Sequence, residues 1–379
     1  MKRIAIIGTT GSIGRQAVDI IERNPDLFTL TLISAHSDKA GLIGIANRFN
    51  VPTVCYTGEG APTPSDFNYS CKIYCGEDAL VKASADADYD IYLNAVVGIA
   101  ALRPTIVAME KGARIALSNK EMLVCAGEYV MRRAKELGTE IIPVDSEHSA
   151  IFQCLSTGRK CDVESLIITS SGGAFRDIPI EELDAVSPER ALAHPNWNMG
   201  NKITIDCATM VNKGFEVIEA RYLFDVPFER IQTVIHRESI VHSMVKFSDG
   251  AVIAQLSEPD MRLPIQYSFT YPERISSPIK PLSVPFDLSF RVVDYDRYPC
   301  FRILSEAGLK GGLYPAAMLA ADAVLVPAYL EGKIKYSEIS VILEKVLASF
   351  SLSGGYDLKD VLRINDEVEK YTRMVVNKI

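Results

Sequence analysis

Lys2-Arg3-Ile4-Ala5-Ile6-Ile7-Gly8-Thr9-Thr10-Gly11-Ser12-Ile13-Gly14 decides the fold of this chain. The apolar run is short, β-branched and closed by glycine, so Arg3–Ile7 predicts a buried strand. An apolar-periodic pattern from Ile13 to Arg23 predicts a helix. Between them, glycines at 8, 11 and 14 allow a sharp turn. A strand, a glycine loop and a helix opening on it make a cradle for a pyrophosphate. Glycine lets backbone approach the phosphates, and the helix N-terminus offers N–H groups without partners. The spacing is GxxGxxG rather than GxGxxG, so the strand–loop–helix context carries the reading. The alternative is a tight turn with no ligand.

The same rhythm continues to residue 143. Further strands are expected at Thr29–Ser34, Thr53–Tyr56, Ile91–Asn94, Arg114–Leu117 and Glu140–Pro143, with helical patterns between them, such as Val124–Leu137. This predicts an α/β fold with an N-terminal, Rossmann-like, doubly wound parallel sheet over 1–143. Residues 144–270 read as an α+β catalytic domain. It has a strand at Ser165–Thr169, a helix at Thr209–Phe224 and a hairpin of Ile240–Phe247 and Ala251–Leu256 around Ser248-Asp249-Gly250. Prolines at 272, 278, 281 and 285 mark an extended linker over 271–297. Four helical patterns over 298–379 predict a C-terminal helical bundle.

The 379 residues allow two or three domains. A net charge of −8 without a block of like charge opposes a nucleic-acid binder or a binder of anionic membranes. After Met1-Lys2-Arg3 the apolar run Ile4–Ile7 is four residues, too short for a secretory h-region of roughly 7–15 residues. No apolar run approaches the roughly 18 residues that span a bilayer. The expected location is the cytoplasm. Eight cysteines without CxxC spacing indicate neither a disulfide framework nor a zinc site.

The end of the second strand bears on the cofactor. An acid there binds a ribose 2′-hydroxyl and repels a 2′-phosphate. The run is His36-Ser37-Asp38. Ser37, and His36 when protonated, suit a 2′-phosphate, whereas Asp38 opposes it if it points inward. NADP is therefore preferred to NAD. The alternative is that Ser37 or Asp38 caps the next helix.

Three polar clusters follow. Asp145 and Glu147 lie beyond a strand's carboxyl end, at i and i+2, and would share a side if extended. Asn212, Lys213 and Glu216 would share a helix face. Asp145, Glu147 and Glu216 together would supply three oxygens for Mg²⁺ or Mn²⁺. The alternative for the first pair is a helix cap at Asp145 or Ser146. His194-Pro195-Asn196-Trp197-Asn198-Met199-Gly200 contains the chain's one tryptophan and reads as a lid over a ligand, or as a loop pinned by an indole.

Gly8–Gly14, Ser118-Asn119-Lys120-Glu121, Val144–His148, Ser171-Gly172-Gly173, His194–Gly200 and Asn212–Glu216 together resemble the 1-deoxy-D-xylulose 5-phosphate reductoisomerase family. The resemblance implies an NADP-dependent oxidoreductase of the non-mevalonate isoprenoid pathway. Such an enzyme rearranges and reduces the sugar phosphate to 2-C-methyl-D-erythritol 4-phosphate with NADPH and a divalent metal. It implies cofactor contacts at Thr10, Gly11, Ser12, Ile13, Asn119, Glu121 and Gly200, besides His36 and Ser37. It implies metal ligands at Asp145, Glu147 and Glu216. Substrate contacts fall on Lys120, Ser146, Glu147, Ser171, His194, Cys207, Asn212, Lys213 and Glu216, with Lys120, Glu147 and His194 catalytic. It also implies a homodimer. Two positions depart from the family pattern. His36-Ser37-Asp38 replaces a glycine followed by Lys-Asn or a similar pair, and Cys207 replaces a serine that binds phosphate. Two rival readings remain: an acyl-phosphate or semialdehyde reductase with Cys207 as nucleophile, and a non-catalytic dinucleotide sensor.

Overall fold

The computed structural model describes every residue except Glu77, 193–198, Pro285 and Gly355. The chain forms two compact units. Met1–Met122, Val130–Ser149 and Asp260–Pro281 make the first, and Leu123–Tyr129, Ala150–Pro259 and Leu282–Ile379 make the second.

The first unit holds the strands β1 (Lys2–Ile7), β2 (Phe28–Ala35), β3 (Thr53–Tyr56), β4 (Lys72–Cys75), β5 (Ile91–Asn94), β6 (Arg114–Leu117) and β7 (Ile141–Pro143). They pair as a seven-stranded sheet in the order β4-β3-β2-β1-β5-β6-β7. Every pairing within it is parallel. This is the doubly wound sheet the sequence predicts. Ile4–Ile7 are fully buried, as expected of a parallel strand covered on both faces. The helix Ser12–Arg23 buries Ala17, Val18, Ile20 and Ile21. β4 is half-exposed at the sheet edge, and sequence patterning missed it. The helix Arg262–Thr270 belongs to this unit. It adds Ile265 and Phe269 to the same core, and the Phe269 ring meets Phe28 edge-on at 5.7 Å.

The second unit holds β8 (Val163–Ser170), β9 (Ile231–Ile235), β10 (Val241–Phe247), β11 (Val252–Leu256) and β12 (Arg291–Val292). Their order is β11-β10-β8-β9-β12. The predicted hairpin is present as β10 and β11, with Gly250 in the left-handed region at φ 90°. β8 and β9 are parallel, whereas β12 pairs antiparallel with β9. Val217 and Phe224 of the helix Val211–Phe224 join Leu166, Ile168 and Val245 in this unit's core. The helices Pro299–Lys310, Tyr314–Leu330, Tyr336–Ala348 and Leu358–Val376 pack on one another, as the C-terminal bundle predicts. No helix among the described residues is long and apolar enough to cross a membrane.

The expected helix Thr209–Phe224 is present as Val211–Phe224, and it follows a separate helix that sequence reading did not mark. Asn201–Ala208 ends, Met210 turns into the left-handed region at φ 58°, and Val211–Phe224 begins. The Tyr336 hydroxyl donates to the Ala208 carbonyl at 3.0 Å, meeting an acceptor at the first helix's end. A long-range contact therefore marks the break, which local propensity does not show.

Candidate active site

In the first unit the strand order reverses between β1 and β5, and open parallel sheets bind ligands at such a point. The glycine loop leaves β1 here. Gly8 has φ 86°, and a Cβ on it would lie 2.6 Å from the Ala95 carbonyl oxygen. A Cβ on Gly14 would lie 2.3 Å from the Gly8 carbonyl oxygen and 2.5 Å from that of Thr9. Both positions thus require glycine for space, and Gly8 for conformation as well. The loop is also fastened to β2. The Gly8 N–H donates to Ser34 Oγ at 3.0 Å, and the Ser34 N–H to Thr9 Oγ1 at 3.2 Å. Gly11 stands at the N-cap of Ser12–Arg23, and no side chain caps that helix. Its first-turn N–H groups face the exposed Gly11-Ser12 corner, with Thr10 and Ile13 half-buried beside it.

Past β2, His36 and Ser37 are exposed. His36 Nδ1 lies 3.0 Å from Thr57 Oγ1. Asp38 caps the helix Lys39–Phe49, and its carboxylate accepts the Gly41 N–H at 2.8 Å. Asn119 is buried, caps the helix Lys120–Leu137 and donates to the carbonyls of Val96 at 2.5 Å and Gly98 at 2.8 Å. It thereby holds the segment after β5 in place. Glu121 follows in the first turn of the same helix.

Lys120 is buried and paired with the Asp145 carboxylate. Asp145 stands just before the helix Ser146–Leu155, and its carbonyl accepts the Ser149 N–H at 2.8 Å. Val144–Glu147 is therefore a helix start, not the extended segment that would put Asp145 and Glu147 on one side by alternation. Carboxylate oxygens of the two nevertheless lie within 4.8 Å of one another. The Ser146 hydroxyl donates to Glu147 at 2.6 Å.

In the second unit the helix Val211–Phe224 carries Asn212, Lys213 and Glu216, all buried. Glu216 is 1% exposed. One of its oxygens accepts the Asn212 amide at 2.5 Å, and the other is paired with the Lys213 ammonium. Gly214 between them has a packing reason: a Cβ there would lie 2.7 Å from Leu304 of the helix Pro299–Lys310. The Ser171-Gly172-Gly173 turn leaves β8 and presses on the end of Asn201–Ala208. Gly173 has φ 68°, and a Cβ on it would lie 2.3 Å from the Cys207 carbonyl oxygen. Ser171 and Cys207 thus flank one close backbone contact. Arg176, which sequence reading did not single out, donates to the Ser171 carbonyl at 2.9 Å. Burial and then the nearby Arg237 hold its pKa below the usual arginine value. The Tyr298 hydroxyl donates to Gly172 O at 2.8 Å, and burial pushes its pKa up to about 12, so it remains a donor.

Gly200 caps Asn201–Ala208 at φ −67°, a conformation open to any residue. His194 lies outside the described residues, as does the expected lid apart from Met199 and Gly200. His236 is structural. Its Nε2 accepts the N–H groups of Ile240 at 3.2 Å and Val241 at 3.0 Å, so Nδ1 carries the proton and faces Ser289 O at 2.9 Å. All eight cysteines are unbridged.

Three family models match the chain. That of 1-deoxy-D-xylulose 5-phosphate reductoisomerase matches residues 4–127, that of its C-terminal domain matches 141–224, and a further DXP reductoisomerase C-terminal domain matches 256–371. The chain is 45% identical over 381 residues to the 1-deoxy-D-xylulose 5-phosphate reductoisomerase of Geobacillus sp. (strain WCH70), covering 99% of this chain and 100% of that protein. It is 44% identical to the protein of the same name from Bacillus pumilus, covering 100% of both. Among solved structures it is similar to the reductoisomerase from Zymomonas mobilis in complex with NADPH, with TM-score 0.90, 37% identity and 100% of both chains covered. It is also similar to a DOX-P reductoisomerase in complex with NADPH, fosmidomycin and magnesium, with TM-score 0.92, 34% identity, and 100% of this chain and 98% of that one covered.

Proposed function

The chain belongs to the 1-deoxy-D-xylulose 5-phosphate reductoisomerase family, and on that premise we propose how its residues divide the reaction. It is an NADP-dependent oxidoreductase that converts 1-deoxy-D-xylulose 5-phosphate with NADPH and a divalent metal. The product we assign is 2-C-methyl-D-erythritol 4-phosphate, made for isoprenoid synthesis in the cytoplasm. A homodimer is assigned on family membership alone.

Both implied groups suit the residues present. The Gly8–Gly14 cradle leaves no room for a Cβ at two positions and opens on an uncapped helix, as a pyrophosphate requires. Asp145, Glu147 and Glu216 are hard oxygen donors, which suit Mg²⁺ or Mn²⁺. Lysine ammonium groups pair with Asp145 and Glu216, and a divalent cation would take their place on these carboxylates. When bound, the metal polarises the vicinal oxygens of the sugar, and NADPH supplies the hydride.

Thr10, Gly11, Ser12 and Ile13 hold the pyrophosphate side of NADPH. His36, Ser37, Asn119, Glu121 and Gly200 complete the cofactor contacts. Asp145, Glu147 and Glu216 hold the metal. Ser171, Cys207, Asn212 and Lys213 bind the phosphate through charge-assisted hydrogen bonds. Ser146 and Lys120 orient the sugar hydroxyls, with Lys120 and Glu147 placed to hold or move a proton there. His194 is assigned to the substrate on the family pattern.

The Asn212–Lys213–Glu216 cluster carries this reading. Three buried polar side chains on one helix face cost desolvation that packing alone does not explain. The test is NADPH absorbance decay with 1-deoxy-D-xylulose 5-phosphate, with and without divalent metal. Decay that survives EDTA, or no decay with metal present, overturns it.

A further inference from the structure

The acid that would ordinarily choose NADH is present in this chain, and the structure shows it occupied. β2 ends at Ala35, and Asp38 is the first acidic side chain after it. In dinucleotide folds an acid at this place accepts the ribose 2′-hydroxyl, and an arginine nearby accommodates a 2′-phosphate. One Asp38 oxygen accepts the Gly41 N–H at 2.8 Å, which ties it to its own helix. The other accepts Arg15 Nη2 at 2.7 Å. Asp38 is thus turned to its helix and neutralised.

Arg15 links the two ends of the expected adenosine site. It lies on the helix Ser12–Arg23, one residue after Gly14. Its Nε donates to the Thr10 carbonyl at 2.8 Å, inside the glycine loop, while Nη2 reaches Asp38 beyond β2. A guanidinium has five N–H donors in a planar fork, so two bonds leave three for an anion. The side chain is 57% exposed and the Asp38 partner 38%. An ion pair this open is weak in water, so sharing the guanidinium costs little. The neighbouring cations are directed elsewhere: Lys39 Nζ donates to Gly60 O at 2.9 Å, and the His36 ring faces Thr57. His36-Ser37-Asp38 itself contains no arginine or lysine.

We propose that Arg15 selects NADPH over NADH, by holding Asp38 away from the ribose and presenting its guanidinium to the adenosine 2′-phosphate. The proposal rests on the NADPH dependence assigned above. It moves the selecting charge from the segment after the second strand to the helix that opens on the pyrophosphate. Arginine suits the task because its fork matches phosphate oxygens two at a time.

The test is binding to the full-length protein without sugar phosphate, followed by cofactor fluorescence. Displacement by 2′,5′-ADP and by 5′-AMP isolates the 2′-phosphate. Losing a hydrogen bond to a charged group, Arg15→Gln should weaken NADPH and 2′,5′-ADP on the order of 10- to 100-fold. NADH and 5′-AMP should change less than about threefold by the same reasoning. Arg15→Lys should recover part of the loss. Asp38→Asn should leave NADPH as tight or tighter, because Arg15 is then released. A thermal melt matching the parent certifies the fold of each variant. Equal shifts for NADPH and NADH, no shift for either, or a loss of NADPH binding in Asp38→Asn overturns the assignment. If the parent protein turns over the sugar phosphate with NADPH while Arg15→Gln keeps the full preference, only Arg15's role fails. If the parent binds no NADPH, the functional reading fails with it.

Discussion

The glycine loop after β1 and the helix Val211–Phe224 are built in opposite ways. The loop uses backbone. Its selectivity comes from absent Cβ atoms and from N–H groups at an uncapped helix, on an exposed corner. The helix uses side chains. Lys213 and Glu216 are 4% and 1% exposed, and each charge is tolerable only because the other is present. The loop therefore has little electrostatic energy to lose and much steric tolerance to lose. For the helix the reverse holds. Variants at each should fail differently.

The largest effect should come from breaking the buried pair. Lys213→Met leaves Glu216 buried without its ammonium, and removing one partner of such a pair costs about 3–5 kcal/mol. Thermal melts in metal-free buffer should show the loss. A loss below about 1 kcal/mol would mean that the pair behaves like a surface one, and the contrast between the regions would fall.

Glu216→Gln keeps the volume and the hydrogen-bonding reach but removes the charge that balances a cation. Turnover should fall on the order of 100-fold or more, mostly in kcat. Steady-state kinetics at saturating Mg²⁺ decide it, and full activity there would remove Glu216 from the metal.

Gly14→Ala tests the loop's steric character. Its Cβ would lie 2.3 Å from the Gly8 carbonyl, and overpacking of this kind costs about 1–3 kcal/mol. NADPH binding should weaken while metal binding does not change. Equal damage to both would show that the two regions are not separable.

The smallest effect belongs to Cys207→Ser. A hydroxyl is a stronger donor than a thiol, and the exchange gains only part of the roughly 1.5–3 kcal/mol of a hydrogen bond to a charged group. kcat should hold, and KM should stay or fall several-fold. A collapse of kcat would make Cys207 a nucleophile and reverse the assignment.

The two regions also differ in how far they could be read before folding. Gly8, Gly11 and Gly14 after an apolar run already define strand, loop and helix, because backbone sterics act within a few residues. Asn212, Lys213 and Glu216 were recognisable as one face, but not as a buried one. Burial depends on Leu304 fitting against Gly214 and on the sheet beneath Val217, which lie far away in sequence. For Asp145 and Glu147 the sequence leaves open both strand alternation and a helix cap at Asp145 or Ser146, and they come close at a helix start. Either backbone form brings the two carboxylates near each other. Arg15 carried no signal, since an arginine on the first turns of a helix is ordinary until Asp38 is seen to face it.

What the sequence by itself determined was the parallel sheet around β1, the glycine cradle, the β10–β11 hairpin and the terminal helices. These depend on hydrophobic period and turn chemistry, which are local. Only the tertiary structure decided that the chain breaks at Met210, that β9 inserts beside β8, that Arg262–Thr270 joins the first core, and that Asp38 answers to Arg15. Each of these turns on desolvation, packing or charge pairing between residues distant in sequence, which no window of neighbouring residues contains.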